Sequence, residues 1–307
     1  MTSSPPRVSI IIPAYYSDAT LEDCLRSLRA QTYRDFEIIL INSSPEERTR
    51  HIVTSAFPEV RFQQSQTRLY PHAARNHGVS LARGQLLVFT DPDCRARSDW
   101  LARLVGACQA GHRVVGGGME LASERWFERG VHLCKFSWAL SGLDAAPHWI
   151  VPSANVCFER GVWDAVGPLA GDLFCGDALL SWRAAERGYS PWFEPRAVVE
   201  HRHQGTLASF WRERLTRGRE FGRVRAAFFQ WSRARAALHA FLAPWLLLLV
   251  LARAGRDAWR GKWGWSYLST LPVQFIGQLG WCLGEASAEG KAAFAGVRAT
   301  PDRRGPS

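Results

Sequence analysis

Short apolar runs alternate with helix-period stretches through the first two-thirds of the chain. VSIII (8–12) is an apolar run closed by Pro13, and EIILI (37–41), QLLVFT (85–90) and RVVGG (113–117) repeat the pattern, with VRF (60–62) a weaker case. Thr20 opens a helical pattern, with Asp23 three positions on as a capping pair and Leu21, Leu25 and Leu28 on one face. Residues 72–83 read as a second helix ending before Gly84, and Ser98 caps a third running to Ala110. A further α/β stretch follows, with a strand at 154–158, a helix at 177–187 and a strand at 196–200. Strands spaced by helices predict a parallel sheet, and continuously apolar strands predict burial on both faces.

The pattern changes near residue 236. AALHAFLAPWLLLLVLA (236–252) is apolar except for one histidine, and WSYLSTLPVQFIGQLGWCL (265–283) follows it. Each approaches the length that crosses a hydrocarbon core, although the first is short and contains Pro244. Half of the 14 tryptophans fall from Trp211 onward, as befits anchors at a lipid interface. The loop between the two stretches carries Arg253, Arg256, Arg260 and Lys262 against Asp257. Two full spans from a cytoplasmic N-terminus would put that basic loop outside, so a re-entrant or interfacial hairpin fits the charge better. The competing reading is a pair of buried soluble helices. The tail, ending RRGPS, is polar and reads as disordered over 291–307.

Composition adds a basic bias. The 307 residues carry a net charge of +10, which calls for an anionic partner. Eight arginines lie between Arg212 and Arg235, just before the apolar stretch, which favours membrane lipid over nucleic acid. The seven cysteines form no CxxC pair, as in a reducing compartment rather than a disulfide or zinc framework. The start, MTSSPPRVSIIIP, is not a signal-peptide pattern, so the body is expected in the cytoplasm.

The chemistry concentrates in LVFTDPDCR (87–95), where an apolar strand runs into two carboxylates. Ligands of open parallel sheets bind beyond the carboxyl ends of the strands, where Asp91 and Asp93 stand. Paired carboxylates there suit a hard divalent cation, Mg²⁺ or Mn²⁺, that bridges to phosphates. The bland alternative is a turn whose aspartates cap the next helix. IIIPAYY after the first strand is not GxGxxG, which argues against a dinucleotide oxidoreductase, and there is no GKS or GKT phosphate loop.

In order along the chain, VSIIIPAYY, CLRSLRAQTYRDFEIILI, AARNHGVSLARGQLLVFTDPDC, SANVCFERGVWDAVG, CGDALLSWRAAERGY and AVVEHRHQG resemble the successive segments of family 2 glycosyltransferases. The resemblance covers about residues 8–225. It implies a GT-A fold: Rossmann-like α/β, with a mostly parallel sheet, here followed by a C-terminal apolar membrane hairpin. The implied division is a catalytic domain over 1–225, membrane-associated helices over 226–290 and the tail.

The resemblance also implies site roles. Pro13, Ala14 and Tyr15 would line the nucleotide base, and Asn42 stands where the family usually has an aspartate touching base or ribose. Asp91 would hold ribose or metal-bound water, Asp93 the metal under the diphosphate, and His201 or His203 a further metal or phosphate contact. Asp177 would be the general base. Two departures stand out: Asn42-Ser43-Ser44-Pro45 replaces a common DDGS, and Gly176-Asp177 replaces a common Glu-Asp. Each residue also has a plainer reading. Asp177 is placed to cap a helix, the histidines to sit hydrogen-bonded at a surface, and Trp126, Phe127, Phe136 and Trp138 to form core. Arg75 could approach the donor, and Arg214 and Arg217, three apart on one helical face, are the choice for phosphate contact.

The function expected is metal-dependent, inverting transfer of a sugar from a nucleotide-diphosphate donor to a lipid-linked or envelope-polysaccharide acceptor, one sugar per binding event. The expected place is a bacterial cytoplasmic membrane with the catalytic domain facing the cytoplasm, in contact with membrane lipids and not nucleic acid. The rivals are an inactive nucleotide-sugar-binding scaffold, a nucleotidyltransferase releasing pyrophosphate, and a nucleic-acid-binding module motivated by charge alone.

Overall fold

The computed structural model describes residues 4–294, with side chains as far as residue 288. One nine-stranded sheet is formed by β1 (Val8–Ala14), β2 (Phe36–Asn42), β3 (Arg61–Gln64), β4 (Leu86–Thr90), β5 (Cys94–Ala96), β6 (Val114–Leu121), β7 (Ala146–Pro147), β8 (Asn155–Glu159) and β9 (Trp192–His201). Their order is β3-β2-β1-β4-β8-β6-β9-β5, with β7 also on β9. The helices of this part are α1 (Asp18–Arg29), α2 (Glu47–Ala56), α3 (Pro71–Leu81), α4 (Trp100–Gln109), α5 (Trp126–Phe136), α6 (Arg160–Val166) and α7 (Gly176–Glu186).

The first strand shows why the sequence folds this way. Ile10, Ile11 and Ile12 are all fully buried, and alternate side chains leave opposite faces of a strand. Ile10 and Ile12 pack with Leu21, Leu25 and Leu28 of α1, while Ile11 packs with Ala74 and Val79 of α3. Each buried isoleucine contributes about 1.5–3 kcal/mol. Helices on both faces are what make three consecutive isoleucines stable there.

The sheet is mixed where helix spacing predicted parallel pairing. β3, β2, β1 and β4 run parallel, but β8 lies antiparallel between β4 and β6. One helical crossover returns a chain parallel to its starting strand. Here α5 is followed by residues 137–154, long enough to bring the chain back to the other end of the sheet. Two caps also differ: α1 begins at Asp18 with Thr20 inside it, and Asp99 rather than Ser98 precedes α4.

Among the described residues, 4–204 and 254–271 form one unit, and 205–253 with 272–294 form the other. In the first unit, Ala254, Ala258 and Tyr267 pack with Leu133 and Leu140, and the Trp126 indole donates to the Ser269 carbonyl at 2.9 Å.

The second unit contains α8 (Leu207–Phe228) and α9 (Arg233–Phe241), much of α10 (Ala243–Arg260) and, beyond the short α11 (Gly264–Ser269) of the first unit, α12 (Leu271–Phe294) from its second residue. Thr206 and Ser209 cap α8 reciprocally. α8 and α12 approach through glycines four apart on each helix, Gly218/Gly222 and Gly280/Gly284. A Cβ at Gly218 would lie 2.3 Å from the Trp281 carbonyl oxygen, and one at Gly284 2.3 Å from that of Leu215.

Among the described residues, no single helix is long and apolar enough to cross a membrane. The first expected span breaks between α9 and α10 with a 68° bend, and the second is interrupted between α11 and α12. Pro244 at the start of α10 supplies no N–H to continue the preceding helix. Of the expected tail, residues 291–294 continue α12 and 295–307 lie outside the described residues.

Candidate active site

β4 ends at Thr90, Asp91-Pro92-Asp93 follows, and the chain re-enters the sheet at once as β5. That three-residue strand pairs antiparallel with the end of β9, Cys94 opposite His201. The register brings Asp93 Oδ1 to 3.7 Å from His201 Nε2, and the Arg202 N–H bonds the Asp93 carbonyl at 3.0 Å. Donor atoms of Asp93, Cys94 and His201 all lie within 4.8 Å of one another. Neighbouring ligands of an octahedral ion, each about 2.1 Å from it, are about 3.0 Å apart, so a small side-chain rotation brings the Asp93–His201 pair to a divalent ion. With no cation present, burial holds the Cys94 thiol well above its ordinary range, and the charges of Asp93 and Asp91 add to that. Of these donors, the carboxylate and the imidazole suit Mn²⁺, whereas a thiolate selects softer ions. Burial also raises the Asp93 carboxyl, with His201 opposing and Asp91 reinforcing the rise.

Asp91 faces a different partner. Its Oδ1 takes the Arg75 Nη2 in an ion pair, and the Arg75 side chain is 2% exposed. Arg75 lies on α3, and the residues three before and one after it work with it. Arg75 Nη1 reaches His72 Nδ1 at 3.2 Å. Asn76 exchanges two bonds with the Leu169 backbone, at 2.8 and 3.0 Å. One face of α3 thus ties the strand tip to the segment that leads into α7.

Asp177 sits in the first turn of α7. Its Oδ1 accepts the Ala178 N–H at 2.8 Å and its Oδ2 the Ser153 N–H at 3.4 Å. Donors at a helix N-terminus favour the ionised carboxylate, the form a base needs. The N-cap itself is Cys175, so Asp177 is not the plain cap that its sequence position allowed.

At the β1 exit, Pro13 and Ala14 are buried and Tyr15 is exposed. The Arg68 guanidinium lies over the Tyr15 ring, 4.5 Å from its centroid. Asn42 ends β2 fully buried, with its amide turned into the protein. It donates to Gln64 Oε1 at 2.9 Å and accepts from Ser44 Oγ at 2.8 Å. A base edge could reach that amide only by displacing these bonds.

His203 is buried and pairs with His132 of α5, Nε2 to Nδ1 at 3.2 Å, while His132 Nε2 contacts the Met119 carbonyl at 3.3 Å. The carbonyl can only accept, so His132 carries its proton on Nε2 and receives the His203 N–H on Nδ1. Burial keeps both rings neutral, His132 down to about 3, with the His201 charge adding to the effect.

Arg214 and Arg217 serve their own unit. Arg214 is buried, donates to the Gly277 carbonyl at 3.2 Å and Gln278 Oε1 at 3.0 Å, and stacks over Trp281. Arg217 pairs with Glu213 four residues back, at 3.0 Å. Sequence reading missed His72, His132 and β5. The i, i+3, i+4 spacing of His72, Arg75 and Asn76 is the signal that pointed to a shared face.

Residues 9–156 match the family model described as "Glycosyl transferase family 2". Glycosyltransferase AglE of Haloferax volcanii is 27% identical over 208 residues, covering 66% of this chain and 68% of that protein. The GalNAc(5)-diNAcBac-PP-undecaprenol beta-1,3-glucosyltransferase of Campylobacter jejuni is 24% identical over 123 residues, 39% of this chain and 40% of that one. Among solved structures, the mannosyltransferase PcManGT of Pyrobaculum calidifontis, in complex with GDP-Man and Mn²⁺, superposes with a TM-score of 0.62 at 19% identity, covering 94% of this chain and 88% of that one. GalNAc-T7 with UDP, GalNAc and Mn²⁺ gives a TM-score of 0.53 at 16% identity, covering 66% and 44%. The fold is GT-A-like.

Proposed function

The chain is a family 2 glycosyltransferase, and from that premise we propose that it transfers a sugar, with inversion, from a nucleotide-diphosphate donor to a lipid-linked or cell-envelope saccharide acceptor. The observation that carries this reading is the meeting of Asp93 and His201 across the β5–β9 register, at the tip of the strand that also presents Asp91. Asp93 and His201 would hold a divalent cation, Mn²⁺ in preference to Mg²⁺ because one donor is imidazole. When bound, that ion supplies charge neutralisation for a leaving diphosphate.

The chain's own groups do the rest. Asp177 takes the proton of the acceptor hydroxyl as that oxygen bonds to the anomeric carbon. The bond from that carbon to the diphosphate breaks, and its electron pair leaves with the nucleoside diphosphate. The Ala178 and Ser153 N–H groups keep the carboxylate ionised and aimed. Arg75 fixes the Asp91 carboxylate beside the donor. Tyr15, exposed beside Tyr16 at the β1 exit with Arg68 over one face of its ring, offers an aromatic surface to the nucleotide base.

Two observations support a membrane acceptor. On α10, Trp245, Leu248 and Leu249 form an exposed apolar stripe, and Arg253 continues the exposed face one turn on. Apolar side chains that enter the interface, followed by a cation that meets anionic headgroups, suit a helix lying on a bilayer. The C. jejuni relative is named for an undecaprenol-linked acceptor. On this reading the protein lies on the cytoplasmic face of a bacterial membrane.

The test incubates the full chain in detergent with UDP-glucose, UDP-N-acetylglucosamine or GDP-mannose, Mn²⁺ and bacterial lipid extract. Transfer of label to the organic phase, with inverted anomeric configuration by NMR, is expected. Release of pyrophosphate would mark a nucleotidyltransferase instead, and label confined to water-soluble products would overturn the lipid acceptor.

A further inference from the structure

The segment entering α7 reads Cys175-Gly176-Asp177, with glycine immediately before the proposed base. The structure shows what stands in place of a side chain there. A Cβ built on Gly176 would lie 2.7 Å from His72 Cδ2, 3.1 Å from His72 Nε2 and 3.1 Å from the Ala170 carbonyl oxygen. The His72 ring fills the space, and it is held at both ends. Arg75 can only donate, so its Nη1 gives a hydrogen to His72 Nδ1, at 3.2 Å. The His72 proton is then on Nε2, which donates to the Phe174 carbonyl at 3.4 Å. The other arm of the Arg75 guanidinium grips Asp91. A continuous, directed path therefore runs from the strand-tip carboxylate, through Arg75 and His72, to a backbone carbonyl three residues before Asp177. His72 is 3% exposed, so water does not compete for these bonds.

We propose that His72 is a positioning residue that locks the Asp177 carboxylate to the donor side of the site, taking the space and the bracing role that a side chain at position 176 would otherwise fill. This rests on the transferase reading above. Donor contacts stay on Asp91 and Asp93. His72 governs where the base sits, so its loss acts on turnover and leaves donor affinity in place.

The experiment is a double-variant cycle on the full chain with His72→Ala, Gly176→Ala and both together. It is read by thermal melting and by release of nucleoside diphosphate with Mn²⁺. His72→Ala is expected to lower kcat by about tenfold or more, with donor KM within about twofold, as for a displaced catalytic group. Gly176→Ala alone lowers both kcat and Tm, because its Cβ meets the braced ring. The double variant melts less far below His72→Ala than Gly176→Ala melts below the parent protein, because the contact with the ring is gone and only the 3.1 Å approach to the Ala170 carbonyl remains. His72→Gln, which keeps one acceptor and one donor, recovers part of kcat, whereas His72→Leu, of similar volume with neither, does not; equal recovery by both would overturn the bracing role. Additive effects on Tm, or wild-type kcat in His72→Ala, would overturn the proposal. Failure of every donor to turn over, with the melting cycle still non-additive, would defeat the transferase reading and with it the role of His72, while leaving the packing intact.

Discussion

Mild acid should destabilise the metal-free protein steeply, through two histidines that fold as neutral rings. Burial brings His132 down from the ordinary 6.5 to about 3, and it lowers His203 in the same direction. Both rings are protonated in the unfolded chain below pH 6.5 and unprotonated in the fold. The unfolded state then binds more protons, so stability is complete above pH 6.5 and is lost as the pH falls toward the folded values. Each fully displaced histidine gives a slope of about 1.4 kcal/mol per pH unit, or about 2.7 for the pair. Asp93 acts in the opposite sense. Burial raises its carboxyl, so the fold takes up that proton before the unfolded chain does, which offsets part of the histidine slope on acidification. The measured slope should therefore fall below the two-histidine value. Asp93→Asn should make it steeper, and His132→Gln should remove about half of it. Urea unfolding followed by tryptophan fluorescence in EDTA, from pH 8 to pH 5 at constant ionic strength, measures this. Stability that stays flat between pH 6.5 and 5, or a shallower slope in Asp93→Asn, would refute the reasoning.

Three further outcomes are expected. Arg75→Met leaves the Asp91 carboxylate and the His72 ring without their partner and should cost about 2–4 kcal/mol in chemical denaturation, somewhat less than a fully buried pair because Asp91 is partly exposed. Arg75→Lys should recover only part of that, since an ammonium lacks the fork that serves both partners. Gly218→Ala should lower Tm by an amount equivalent to about 1–3 kcal/mol, because its Cβ meets the Trp281 carbonyl at 2.3 Å. Trp245→Glu with Leu248→Glu should weaken co-flotation with anionic vesicles about tenfold or more, while nucleotide release in detergent is unchanged.

The strand–helix order of residues 8–120 was legible because each strand is an unbroken apolar run and each helix carries a 3.6-residue stripe. The carboxylates at the β4 tip were legible because they follow an unbroken apolar strand at the carboxyl end, where open α/β sheets bind ligands. The partner of Asp93 was harder to see. His201 meets it only because β5, three residues long, pairs with the end of β9, and three residues carry too little period to announce a strand. The reversed direction of β8 depends on a long connection whose path local pattern does not encode. Asn42 stood at the expected strand end, but its inward turn is set by Gln64 and Ser44, which come from tertiary packing. Arg214 looked like a phosphate ligand because it lies three residues from Arg217 on one helical face. The glycine-lined approach of α8 and α12 draws it into the helix interface instead.

The central claim is that Asp93 and His201 hold a divalent ion beside a donor while Asp177 serves as base. Its most direct test measures, on the same preparations, Mn²⁺-dependent nucleoside diphosphate release and nucleoside diphosphate binding by calorimetry for Asp93→Ala and Asp177→Asn. Asp93→Ala should lose the Mn²⁺-dependent component of both. Asp177→Asn should bind the nucleotide as the parent protein does, yet turn over about 10²–10⁴-fold more slowly. Nucleotide binding that is Mn²⁺-dependent and intact in Asp93→Ala, or parental turnover in Asp177→Asn, would contradict the account.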